Sequence, residues 1–118
     1  MKKFFKGFEY AFAGLAAAIK SERNMKFHIC AAICVTAAGF LLKISATEWI
    51  AVILCCGMVI GAEMLNTAIE KLADIAEPNK SEKIRFVKDV AAGAVLVCAI
   101  AAACVGLIIF VPKIVALL

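Results

Sequence analysis

Five polar side chains recur along one stretch of an otherwise apolar segment: Glu63, Asn66, Thr67, Glu70 and Asp74. On a helix, their spacing of i, i+3, i+4, i+7 and i+11 keeps all five within an arc of about 100°. Between Trp49 and Ile69, Glu63 is the only charged residue, and no basic residue stands three or four positions away from it. Lys71 follows roughly 12 Å further along such a helix. A carboxylate at that depth in an apolar segment is costly and marks a functional site by default. The face therefore runs from apolar depth to a charged end, offering oxygen ligands and, in Glu63, a candidate general base. Mg²⁺ commonly takes one or two carboxylates together with substrate phosphates, so such a set suits it. Glu22, Lys88 and Asp89 belong to the same end, whereas the opposite end offers only Glu48. This asymmetry fits a reaction between a hydrophilic substrate arriving at the charged end and a second substrate living in a bilayer. The plainer reading of Asn66 and Thr67 is that they glue helices together by hydrogen bonds. It accounts poorly for Glu63.

Three apolar segments must position these residues. Phe27 to Leu42 is short but bounded by Lys26 and Lys43, whose side chains can snorkel outward. Trp49 to Ile69 is long enough to cross a bilayer, with Trp49 as an interface anchor. Val90 to Val111 carries no charge, and Pro112 is expected to end it. Ahead of them, residues 4–22 read as an amphipathic helix. Phe4, Phe5, Phe8, Phe12, Leu15 and Ile19 share one arc, and Lys2, Lys3, Lys6, Glu9 and Lys20 fall opposite. An aromatic stripe beside a lysine-rich face fits a helix lying in the membrane interface, although a core-facing helix shows the same period.

Composition agrees. Of 118 residues, 65% are hydrophobic and 19% charged, too apolar for an ordinary soluble domain. The basic residues cluster: six lie between Lys2 and Lys26 and five between Lys71 and Lys88, leaving Lys43 and Lys113 alone. By the positive-inside rule, the N-terminus and the 71–88 loop face the cytoplasm and the C-terminus lies outside. No basic stripe with interleaved aromatics is present, so nucleic acid is not an expected partner. All six cysteines fall in apolar runs without metal-ligand spacing and read as small apolar filler. Glu9 and Lys20 interrupt any signal-peptide core, so the first segment is expected to be retained. The loop motifs of soluble nucleotide-binding folds are missing.

The run EMLNTAIEKLAD (Glu63 to Asp74), then KDVAAGAVL (Lys88 to Leu96), resembles the signature of the prokaryotic diacylglycerol kinase family. GLAAAIKSERNMKFH (Gly14 to His28) is similar to that family's N-terminal segment, so the likeness covers nearly the whole chain. The wording is most like the Gram-positive branch, the undecaprenol kinases. The resemblance implies an all-α membrane protein, with an N-terminal surface helix and three transmembrane helices per chain, assembled as a homotrimer. It implies Mg²⁺-dependent transfer of phosphate from ATP to a membrane lipid alcohol, undecaprenol or else diacylglycerol, in the bacterial inner membrane. By matching positions, Glu63 is the general base, and Glu22 and Glu70 hold the metal. Glu22, Glu70, Asp74, Lys88 and Asp89 contact nucleotide, while Asn66 and Thr67 position the reacting groups. His28, the only histidine, falls between a phosphate contact and a structural role. A reading of a different class is a small proton-coupled transporter with Glu63 as carrier, which would call for polar residues reaching both leaflets.

Overall fold

A computed structural model describes residues 1–118 as four helices and no strands. They are α1 (Lys2–Ser21), α2 (Arg23–Leu41), α3 (Ala46–Ala76) and α4 (Glu82–Leu117). The last three are each long and apolar enough to cross a membrane. They match the three expected spans in number and order. α3 packs along α4, α2 packs on α3, and α1 reaches both α2 and α3. α2 and α4 do not meet, which leaves a groove between them with α3 as its floor.

Two helices are much longer than the spans they contain. With 31 and 36 residues, α3 and α4 run about 46 and 54 Å at 1.5 Å per residue, against roughly 30 Å of hydrocarbon. The segment read from sequence as a 71–88 loop is therefore mostly helix. α3 continues to Ala76 and α4 starts at Glu82, capped by Ser81, whose Oγ accepts the Ile84 N–H at 3.3 Å. Good helix formers such as Glu, Lys, Leu and Ala around positions 70–76 carry α3 past the apolar run. Lys88 and Asp89 consequently sit on a helix rather than before one.

Pro112 does not end α4, which runs five residues further, to Leu117. Proline removes one backbone donor, but the residues beyond it are still apolar and gain from keeping their remaining backbone bonds within the helix. Lys113 fixes this turn from outside, since its Nζ lies 3.1 Å from Glu48 Oε1 at the start of α3. Glu48 also completes a capping box: Ser45 N–H donates to Glu48 Oε1 at 2.9 Å, and Glu48 N–H donates to Ser45 Oγ at 3.2 Å.

The turn between α2 and α3 is built with similar economy. The Ile44 N–H reaches back to the Gly39 carbonyl, and Lys43 takes a positive φ of 52° where glycine is usual. Ile44 then buries with Val52 and Ile109, and Trp49 and Phe110 pack around them. A Cβ on Gly39 would come within 2.7 Å of the Trp49 ring, so only a bare backbone fits there.

α1 occupies the expected stretch, and its Phe4, Phe5, Phe8 and Phe12 rings are exposed. Only Ala18 of this helix is buried. Glu22, placed by sequence at the end of α1, is the single extended residue between α1 and α2, with φ −113° and ψ 123°.

Candidate active site

Glu63 sits midway along α3, two-thirds of the way through its apolar run, and its side chain is only 2% exposed. Asn66, one turn on, is buried as well; Thr67 and Glu70 are half-buried, and Asp74 is exposed. The face legible in the sequence thus exists, graded from sealed to open. Thr67 turns its hydroxyl onto its own helix, donating to the Glu63 carbonyl at 3.0 Å. Asn66 Nδ2 donates to Glu70 Oε1 at 3.4 Å, while Asn66 Oδ1 is buried without any partner.

Three groups from different parts of the chain lie near Glu63: His28 from α2, Glu22 from the α1–α2 hinge, and Glu70 from α3 itself. His28 is the nearest, with Nε2 3.8 Å from Glu63 Oε2. The extended hinge has a purpose here, because breaking the helix at Glu22 lets α1 fold back over α2 and α3 near this end. Met25, the most deeply buried residue in the chain, lies on the first turn of α2 just beyond that hinge.

The remaining expected residues form a second, more open group. Asp74, Lys88 and Asp89 line a polar cavity of about 490 Å³ between the end of α3 and the start of α4. Lys88 Nζ pairs with Asp74 Oδ1, and Arg85 Nε stands 3.9 Å from Asp89 Oδ2. The cavity is also lined by the connecting residues, among them Asn79, Lys80 and Ser81. Asp74 lies one turn beyond Glu70 on the same helix, about 6 Å along the axis, so the two groups adjoin. Arg85 was not among the residues singled out from sequence. Its signal was there, as a basic residue four positions before Asp89.

This arrangement places one shielded carboxylate at apolar depth, oxygen and amide groups just above it, and a cavity with basic side chains above those. Residues 9–110 match the family model described as prokaryotic diacylglycerol kinase. The chain belongs to that family. It is 40% identical over 113 residues to the undecaprenol kinase of Bacillus subtilis, covering 96% of this chain and 92% of the relative. It is also 35% identical over 112 residues to a diacylglycerol kinase of Synechocystis, covering 94% of this chain and 64% of that longer relative.

As a member of the prokaryotic diacylglycerol kinase family, the chain is a lipid kinase. With three helices able to cross a membrane, it is a multi-pass membrane protein. Both stretches that carry the resemblance, Glu63 to Asp74 and Lys88 to Leu96, lie within the matched residues. They fall on the packed helices α3 and α4, which brings segments apart in sequence side by side. His28 is the residue whose place sequence left undecided. No spacing rule links a position on α2 to one on α3.

Proposed function

We propose that this chain is an undecaprenol kinase, transferring the γ-phosphate of ATP to the lipid hydroxyl at the cytoplasmic face of the bacterial inner membrane. The observation that carries this reading is Glu63, a carboxylate sealed at lipid depth on a helix face that continues through Asn66 and Glu70 to the open cavity. The higher identity and near-complete coverage of the relative named undecaprenol kinase favour that acceptor over diacylglycerol.

In the reaction, the lipid oxygen forms a bond to the γ-phosphorus, the bond from that phosphorus to the β-bridging oxygen breaks, and ADP leaves. Glu63 accepts the proton released by the lipid hydroxyl, which requires a base within hydrogen-bond reach of the attacking oxygen. Phosphoryl transfer depends chiefly on positioning and charge neutralisation. Asn66 and Thr67 hold the face of α3 that presents the reacting groups. Glu22, Glu70, Asp74, Lys88 and Asp89 line the path of the nucleotide, with Lys88 supplying positive charge to the phosphates. Asn66 Oδ1, buried and unpartnered one turn before Glu70, is an oxygen donor of the kind a hard divalent cation prefers. Mg²⁺ held by Glu22 and Glu70 would neutralise phosphate charge.

The basic N-terminus and the basic residues from Lys71 to Lys88 favour a cytoplasmic placement for both, with the C-terminus outside. α1 lies in the interface with its exposed phenylalanines in the lipid. Three such chains would assemble as a homotrimer, as the family resemblance implies. Transport is disfavoured by the same face: between Glu48 and Glu63, α3 carries no polar side chain beyond Trp49, so no polar path reaches the far leaflet.

Labelled ATP with Mg²⁺ and either undecaprenol or diacylglycerol in mixed micelles tests the proposal. Wild type should label undecaprenol, chelation should stop the transfer, and Glu63→Gln should lower the rate by about 10³-fold with nucleotide binding kept. Label on diacylglycerol alone would overturn the acceptor, and no label on either lipid would overturn the kinase reaction.

A further inference from the structure

The groove between α2 and α4 holds a cavity of about 320 Å³, and fourteen of its sixteen lining residues are hydrophobic. The other two are Gly106 and His28, so His28 is its only polar side chain. That same imidazole is 14% exposed and stands 3.8 Å from the Glu63 carboxylate. A single side chain therefore belongs both to an apolar channel and to the sealed carboxylate. No lysine or arginine pairs with Glu63, which leaves the His28 ring as its one potentially cationic neighbour within 4 Å.

We propose that His28 is the positioning residue for Glu63, holding one carboxylate oxygen so that the other meets the hydroxyl of a lipid whose chain lies in the groove. This rests on the reading of Glu63 as the base. A glutamate side chain has three rotatable torsions, and Asn66, the amide one turn along the same face, donates to Glu70, so a group from another helix is needed to fix the last of them. The imidazole, carried on a rigid helix one layer away, does so through Oε2. The separation of 3.8 Å exceeds a hydrogen bond, so the contact orients electrostatically and leaves the carboxylate free to take a proton. The groove supplies the other coordinate. A hydrocarbon chain that fills it ends at the one polar side chain in its wall, beside the base. The ring adds no proton to the balance: the lipid proton still goes to Glu63.

A misplaced base costs rate without weakening nucleotide binding. In the lipid phosphorylation assay, His28→Leu should lower kcat by about 10²-fold with KM for ATP unchanged. His28→Gln, which keeps an N–H near the ring position, should stay within about threefold of wild type. The deciding measurement pairs His28→Leu with Glu63→Asp. If His28 acts through Glu63, the second substitution adds little to the first, because groups acting as a unit are not additive. Full multiplication of the two losses, a parallel rise in KM for ATP, or a His28→Gln variant as slow as His28→Leu would each overturn the proposal. Wild type that transfers phosphate while His28→Leu keeps its full rate would do the same. Wild type that transfers none would instead overturn the kinase reading of Glu63 on which the proposal rests.

Discussion

At the scale of single residues, burial divides the polar face of α3 by function. Asp74 reaches solvent and finds Lys88, whereas Asn66 is buried with one oxygen unsatisfied. A buried acceptor without a partner destabilises the fold by about 1–3 kcal/mol. Replacing it by an apolar side chain of similar shape removes that penalty. Asn66→Leu should therefore leave the melting temperature in detergent unchanged or raised, while phosphate transfer falls by about 10²-fold. Thermal unfolding and the lipid assay together decide the matter. A variant that melts early and keeps its specific activity would make Asn66 a packing residue. Thr67 differs, since its hydroxyl is already occupied by the Glu63 carbonyl. Its contribution is to brace the backbone at Glu63.

At the scale of elements, the two ends of the helix bundle are built differently. The end remote from Glu63 is tied by side chains that leave little freedom: the Ser45–Glu48 capping box, the Glu48–Lys113 pair and the Ile44, Val52, Ile109 cluster. Gly39 is the tightest point, because its α carbon backs onto the Trp49 ring. Gly39→Ala should force that ring aside and destabilise the α2–α3 turn by about 1–3 kcal/mol, the usual cost of overpacking. Trp49 is the only tryptophan, so its fluorescence reports the displacement directly. An unshifted emission spectrum with an unchanged melting temperature would show that the turn tolerates a methyl group. At the other end Met25 and three alanines, Ala18, Ala73 and Ala91, bury, and the polar pairs Lys88–Asp74 and Arg85–Asp89 lie near the surface.

For the molecule as a whole, eleven of 118 residues are buried, and most large apolar side chains face outward. Water would not tolerate so much contiguous apolar surface, whereas lipid or neighbouring chains would cover it. The proposed orientation rests on the basic residues. In cells producing a Ser81→Cys variant, with the six native cysteines replaced by alanine, a membrane-impermeant thiol reagent should label Cys at position 81 only after the membrane is opened. Labelling of intact spheroplasts would invert the proposed topology and put the cavity between α3 and α4 on the outer side. The same variant should stay folded, since the Ser81 helix cap is worth about 1 kcal/mol.

The sequence by itself determined much of this. Hydropathy marked three spans in their true order, and helical spacing put Glu63, Asn66, Thr67, Glu70 and Asp74 on one face, because both depend only on neighbours along the chain. The family signature was legible for the same reason. Tertiary structure decided which groups meet across helices. The pairing of Lys88 with Asp74 joins residues fourteen positions apart on different helices. His28 reaches Glu63 only because α2 folds back on α3, and Glu22 lies near it where the chain breaks between α1 and α2. Pro112 was misread on local grounds: a proline looks like a stop until the Lys113–Glu48 contact holds the next turn in place. Periodicity fixes the face of a single helix, but which face it meets is settled only when the helices pack.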